Sequence, residues 1–332
     1  MRGVRPLGVT CGDVGGIGLE CFLKAWPERP TGVSAILYAH PDHVRWVSAQ
    51  LEPEPRAIGM AVAAGETAND LSINPLHGDC LPEPVAGVWN PDWKSVALDS
   101  LERAVADGLA GNVSGVLTLP ITKRIVQGNG LDFPGQTEFF AARCGVADFA
   151  MMLASPSMRV IPVTTHIPLG EVVGHLSIPR IERIIRLTHR HLVEREGIQS
   201  PRIALCGLNP HAGEDGRMGR EEIELIHPAM ERCADLSGVR LGPYAADTLF
   251  PMIGRVAPDA ILCMYHDQGL IPFKTLYFDQ GVNMTLGLPF PRVSPDHGVA
   301  YPIAGKNEAH HSSTLEALRV GNRVARSLGF RP

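Results

Sequence analysis

The chain has 332 residues, 45% of them hydrophobic and 20% charged, with a formal net charge of -5. That length favours two domains, and the composition is that of an ordinary globular protein. The negative balance leaves no basic footprint for nucleic acid, and no run approaches the roughly eighteen apolar residues of a membrane span.

In chain order, the opening stretch MRGVRPLGVTCGD turns strand-like within a few residues and lacks the apolar core of a secretory signal. The 7 cysteines are widely spaced, with no CxxC pair, and several sit inside apolar runs, where a reduced thiol behaves as a small hydrophobe. A reducing, cytoplasmic setting is expected. Short apolar runs predict strands at 6–11, 33–39, 115–120, 158–165, 202–208 and 259–265. Between them, apolar residues at helical spacing predict helices over 99–110, 179–196, 220–236 and 312–328, the last capped at Ser312 or Ser313. Such alternation is the pattern of a parallel α/β sheet. Segment 51–93, rich in Pro, Gly and Glu, has weak periodicity and reads as a surface excursion. Crossing points are expected near 128–135 (GNGLDFPG) and 281–291. They divide the chain into a discontinuous first domain, 1–130 plus 284–332, and a second domain, 131–283.

Several loops carry chemistry. CGDVGGIGLE (11–20) joins a predicted strand to a predicted helix, the context of a phosphate-facing loop, although its spacing is not GxGxxG. GQTEF (135–139) opens a helix, where free N–H groups and the Thr137 hydroxyl favour a phosphate or carboxylate. Lys274, Asn283 and Arg292 add donors, arginine as a bidentate fork and lysine as a point charge. The stretch 294–306 is a long polar loop with glycines, and loops of that size are more often functional than not.

Three strand-like runs end at histidines: VIPVTT at His166, ALCGLNP at His211 and AILCMY at His266. In open parallel sheets, ligands bind beyond the carboxyl ends of the strands. Three imidazoles delivered there suit one divalent ion, such as zinc, cobalt, nickel or iron. Taken singly, each is more ordinarily a hydrogen-bonded structural residue. Asn209, Glu214, Asp267 and Gln268 stand beside the imidazoles, as groups that fix ring orientation do. Asp247 is a further carboxylate before an apolar turn, where the ordinary role is a helix cap. His189, His191, His310 and His311 are expected at the surface.

As a set, GDVGGIGLE (12–20), LPITK (119–123), DFPGQTEF (132–139), TTHIPL (164–169), LNPHAGEDG (208–216), GPYAADTLF (242–250), YHDQGLIPFK (265–274) and SPDHGVAYPIAGK (294–306) resemble the 4-hydroxythreonine-4-phosphate dehydrogenase family nearly end to end. The resemblance implies two α/β/α domains of the isocitrate and isopropylmalate dehydrogenase kind, with the active site in the cleft between them. It implies that His166, His211 and His266 bind a divalent metal (zinc, magnesium or cobalt) at a site shared across a homodimer. Gln136, Thr137, Lys274, Asn283 and Arg292 would hold a small phosphorylated substrate. Asp296, His297, Gly298 and Gly305 would receive the adenine side of NAD or NADP. Asp247, Asp267 and Lys123 are the catalytic candidates. The implied reaction oxidises the C3 carbinol of 4-phosphohydroxy-L-threonine, and the β-keto acid product loses CO2. The sequence departs from the family pattern at Gln136, where a histidine is expected, at Leu19 for a proline, and at Pro302 for an aspartate. A glutamine can hydrogen-bond but cannot titrate.

Other readings stay open. A related dehydrogenase would act on 4-phosphoerythronate, threonate 4-phosphate or a dihydrodiol. A phosphate acyltransferase on a similar fold would use no NAD, and a non-catalytic metal- or phosphate-binding protein would turn nothing over. Retention of Lys274, Asn283 and Arg292 favours a phosphate.

Overall fold

A computed structural model describes residues 5–78, 81–128 and 131–327. Cys80, residues 129–130 of the first expected crossing and residue 328 of the last expected helix lie outside these. Two compact units are present, Met1–Ala147 with Leu288–Pro332 (unit 1) and Asp148–Gly287 (unit 2). Residues 131–147 therefore pack with the first unit.

The strands are β1 (Leu7–Thr10), β2 (Ala35–Ala39), β3 (Leu71–Pro75), β4 (Gly115–Leu117), β5 (Gln127–Gly128), β6 (Leu131–Asp132), β7 (Ala150–Ala154), β8 (Arg159–Pro162), β9 (Arg202–Cys206), β10 (Val239–Tyr244), β11 (Ala260–Cys263), β12 (Val282–Leu286) and β13 (Arg292–Pro295). Unit 1 orders its sheet β13-β4-β1-β2-β3, with every pairing parallel. Unit 2 orders its strands β10-β9-β11-β8-β7-β12; the first four are parallel, and β7 runs antiparallel to both β8 and β12.

The parallel strands that sequence pattern finds are those covered on both faces. β1 and β11 are buried at every residue, so they read as unbroken apolar runs. Those it misses break that pattern. β13 buries Arg292 and Ser294, and β10 has no buried residue at all. Segment 51–93 is not a mere excursion. It contains the helix Pro53–Ala63, which buries Ile58, Val62 and Ala63, and β3 at the edge of the sheet. That helix packs closely on helix Pro41–Ser48, where a Cβ at Gly59 would collide with Ser48. The expected helix at 220–236 is a π turn, Glu222–Ile226, running into the helix His227–Glu231.

His191 is also corrected, since it is buried rather than at the surface. Helix Ile178–Glu194 buries Ile181, Ile184, Ile185, Thr188, His191 and Leu192, and position 191 falls on that stripe at helical spacing. Among the described residues no helix is long and apolar enough to cross a membrane.

Candidate functional site

In unit 2, β9, β11 and β8 are neighbours, and the chain leaving their carboxyl ends reaches His211, His266 and His166. Side chains knit these ends together. The Thr164 hydroxyl donates to Met264 O at 2.7 Å. Gln268 accepts from the Met264 N–H at 2.7 Å and donates to Gly207 O at 2.6 Å, joining the exits of β11 and β9. Helix His266–Tyr277 lies so close to the sheet that a Cβ at Gly269 would collide with Val160 of β8. The HDQG block is thereby explained residue by residue: a ligating type, a carboxylate beside it, a cross-strand amide and a close approach.

The His266 Nδ1 lies 2.6 Å from Asp267 Oδ1, which fixes the ring and leaves Nε2 for a ligand. The His166 and His266 rings are 5.7 Å apart, centre to centre. Imidazoles bound to one ion through bonds of about 2.1 Å place their centres about 5 Å apart, so this pair fits two ligands of one ion. His211 is exposed, and no three His, Cys, Asp or Glu among the described residues stand close enough to hold a metal. One chain thus gathers two of the three sequence-predicted ligands.

His211 sits on a left-handed turn. His211, Ala212, Glu214 and Asp215 all have positive φ, between 43° and 54°, around Gly213 at 80°. Each such residue without glycine costs about 1 kcal/mol. Glu222, buried at 2% exposure, holds the turn: Oε1 accepts from the Leu208 and Asn209 N–H groups at 2.8 Å each, and Oε2 accepts from Asn209 Nδ2 at 3.0 Å.

In unit 1, Arg292 of β13 is buried. Its Nε and Nη2 donate to Thr118 Oγ1 at 3.1 and 2.8 Å, Nη1 donates to Thr137 Oγ1 at 3.0 Å, and Nη2 reaches Gln136 Oε1 at 3.4 Å. The guanidinium also lies over the Phe140 ring, 5.4 Å from its centre. Burial lowers its pKa to about 10, against the opposing pull of Glu138, so it remains a cation at neutral pH. Gln136 completes the arrangement by donating to Leu119 O at 3.1 Å. Its amide therefore gives an acceptor to Arg292 and a donor to a carbonyl, a pairing that a doubly protonated imidazole could not supply. This is a buried cation surrounded by hydroxyls at the first turn of helix Gln136–Arg143, an arrangement suited to an oxyanion.

The glycine-rich loop is not a phosphate cradle. Its amides at Asp13, Gly15, Gly16 and Ile17 donate to Pro120 O, Asp13 Oδ1, Asp13 O and Val299 O. Its glycines serve close packing instead, since a Cβ at Gly15 would collide with Val88 O. In the 294–306 loop, His297 Nδ1 lies 3.0 Å from Gly298 O and must donate, leaving Nε2 to accept from the Thr314 hydroxyl at 3.1 Å. Both ring nitrogens are engaged, so its ring face is what remains for a ligand. The Asp296 N–H donates to Ser313 Oγ, Gly298 opens on free space, and Gly305 has φ of 72°.

Of the remaining sequence-predicted residues, Asp247 lies exposed in the first turn of helix Ala246–Leu249, Asp267 is exposed, and Lys123 is exposed at the start of the turn Lys123–Ile125. Lys274 is half-buried on helix His266–Tyr277. Asn283 is on β12, with its Oδ1 buried and unpartnered among the described residues. Pattern reasoning missed Asp13, Thr118 and Glu222. Thr118 had a signal, because it follows β4 directly, at a carboxyl end of the same kind as those carrying the histidines.

Residues 35–321 match the family model for "Pyridoxal phosphate biosynthetic protein PdxA". The 4-hydroxythreonine-4-phosphate dehydrogenase of Erythrobacter litoralis is 43% identical over 330 residues, covering 97% of each chain. The chain belongs to the PdxA family. Among solved structures, this PdxA-family chain is similar to the 4-hydroxythreonine-4-phosphate dehydrogenase of Klebsiella pneumoniae, with a TM-score of 0.82 and 31% identity over 97% of this chain and 99% of that one. It is also similar to a terephthalate 1,2-cis-dihydrodiol dehydrogenase of Burkholderia xenovorans, with a TM-score of 0.65 and 25% identity over 96% and 98%. These relatives are dehydrogenases, and the chain is an oxidoreductase with a mixed α/β fold.

Proposed function

We propose that the protein oxidises 4-phosphohydroxy-L-threonine with NAD or NADP, in a divalent-metal-dependent reaction of pyridoxal 5'-phosphate biosynthesis. Hydride leaves the C3 carbinol for the nicotinamide, and the hydroxyl proton leaves to a base. The product, 2-amino-3-oxo-4-(phosphooxy)butanoate, loses CO2 to give 3-amino-2-oxopropyl phosphate. The observation that carries this reading is the buried Arg292 cation with its hydroxyl and amide partners, in a chain 43% identical to an enzyme of that name.

Each group has an assigned part. Arg292, Thr137 and Gln136 take the phosphate, with Lys274 and Asn283 as the further donors the family resemblance implies, so that its binding energy is spent on orientation. His166, His211 and His266 would hold the metal, in a site shared across a homodimer; the His166–His266 spacing and the Asp267 contact support the metal part of this reading. A bound divalent ion lowers the pKa of an alcohol and stabilises the oxygen charge that develops. Asp267 keeps the His266 ring in one tautomer. Asp247 and Lys123, both exposed, are the groups left to carry the substrate proton. The 294–306 loop receives the adenosine end of the dinucleotide.

The test is NADH formation by metal-supplied protein offered 4-phosphohydroxy-L-threonine, 4-phospho-D-erythronate, D-threonate 4-phosphate and a cis-dihydrodiol side by side. The first is expected to be turned over most efficiently. Turnover of another alone would move the enzyme to that substrate, and no NADH from any would overturn the reading.

A further inference from the structure

Asp13 is 1% exposed. A carboxylate removed from water needs donors, and three loops of unit 1 supply them. The Gly15 N–H donates to Oδ1 at 3.1 Å, while the Thr122 and Tyr301 hydroxyls donate to Oδ2 at 3.0 and 2.8 Å. The backbone follows the same convergence. The Asp13 N–H donates to Pro120 O at 2.8 Å, the Ile17 N–H to Val299 O at 3.0 Å, and the Gly87 N–H to Gly15 O at 2.8 Å. Glycine is required where these loops touch, since a Cβ at Gly16 would lie 2.9 Å from Val299 O, and one at Gly87 would lie 2.7 Å from Tyr301 O. Burial, and then Asp13 itself, push the Tyr301 phenol well above its ordinary pKa, so it stays a donor across the working range.

The stretch 298–305 is thus held at Val299 and Tyr301, and its Ala300, Ile303 and Ala304 pack with Ile17 and Cys21. A Cβ at Gly298 would meet open space, and beyond Tyr301 a small recess is lined by Gly16, Gln50, Gly305 and Asn307, with Asn307 Oδ1 buried and unpartnered among the described residues. A loop already fixed loses little conformational freedom when a ligand arrives, whereas a loosened loop must be ordered at the expense of affinity.

We propose that Asp13, Thr122 and Tyr301 form a tie that holds the 298–305 loop ready for the adenosine end of a nicotinamide dinucleotide, so that Asp13 and Tyr301 are positioning residues for the cofactor. This rests on the cofactor assignment made above. Among the described residues the tie's side-chain bonds run between Asp13, Gly15, Thr122 and Tyr301, separate from the Arg292, Thr137 and Gln136 set, so its loss should separate the two affinities.

The experiment titrates NAD and NADH, and separately 4-phosphohydroxy-L-threonine, into the full-length wild type, Tyr301→Phe, Asp13→Asn and a control, Tyr38→Phe. Tyr38 donates to Asp107 Oδ2 at 2.6 Å, elsewhere in unit 1. Losing one hydrogen bond to a charged group should weaken dinucleotide binding by about tenfold in Tyr301→Phe. The dinucleotide KM should rise with it, while kcat and substrate affinity stay near wild type, and the control should match wild type. If Asp13→Asn does not fold, Tyr301→Phe still decides. Dinucleotide affinity within about twofold of wild type in Tyr301→Phe would overturn the tie and leave the cofactor assignment standing. Equal losses of dinucleotide and substrate affinity would also overturn it, as a general structural effect. A wild type that binds neither NAD nor NADP would overturn the cofactor assignment and the tie together.

Discussion

Asp13 in unit 1 and Glu222 in unit 2 are both buried carboxylates, 1% and 2% exposed, and both hold loops at the carboxyl ends of parallel strands. They do so over very different distances along the chain. The hydroxyls on Asp13 come from residues 109 and 288 positions away, whereas the amides on Glu222 come from 13 and 14 positions away. Asp13 ties distant loops whose glycines permit close contact. Glu222 braces one local turn whose His211, Ala212, Glu214 and Asp215 are left-handed without being glycine. One carboxylate sets position between segments, and the other holds strain within one, where the relevant histidine stands.

That contrast predicts unequal consequences of removal. Glu222→Ala should be the most damaging change, lowering stability by about 3 kcal/mol, because it strips three acceptor bonds and lets the turn relax. A urea midpoint measures the loss, and Glu222→Gln, which keeps one acceptor oxygen, should recover part of it. A Glu222→Ala midpoint equal to wild type would erase the difference between the regions.

Acid should act next. His43, beside Val14 in unit 1, is buried and burial holds its pKa down to about 3. The folded chain keeps this ring neutral, while the unfolded chain takes up a proton below about pH 6.5. Its contribution is therefore present above that pH and lost as pH falls toward about 3, at about 1.4 kcal/mol per pH unit. In unit 2, His191 is also lowered by burial, but Glu196 at 3.6 Å pulls the other way, so its pH dependence should be shallower. Urea midpoints at about pH 6.5 and about pH 5 should converge more in His43→Leu than in His191→Leu.

Glycine substitutions sharpen the comparison at a smaller scale. Gly213→Ala places a Cβ 2.6 Å from Glu222 Oε2 on a residue with φ of 80°, and Gly15→Ala places one against Val88 O. Each should lower stability by about 2 kcal/mol. Gly170→Ala, whose Cβ would meet nothing, should change it by less than about 0.5 kcal/mol.

The same contrast explains what the sequence made legible. Strands covered on both faces, such as β1 and β11, are continuous apolar runs, and the histidines ending β8, β9 and β11 could be found by walking off those runs. Strand β13 could not be found that way, because its buried residues include an arginine and a serine whose hydroxyl donates to Thr118 O. The helix Pro53–Ala63 was hidden by its two prolines and its glycine, although that glycine is what lets it dock. Asp13 and Glu222 carry no periodic signal. Their role depends on donors that only the folded chain brings near, over 100 positions away in one case. Family resemblance supplied Gln136, Thr137, Lys274, Asn283 and Arg292 as a set; geometry adds Thr118 to it, bonded to Arg292 through two nitrogens.

The most direct test of the assigned reaction measures NADH and CO2 released from 4-phosphohydroxy-L-threonine by wild type, His266→Ala and His211→Ala, each with and without a chelator. Equal yields of NADH and CO2 from wild type, abolished by chelation and reduced by at least about a hundredfold in both variants, are expected. Wild-type turnover untouched by the chelator and by loss of either histidine would contradict the account.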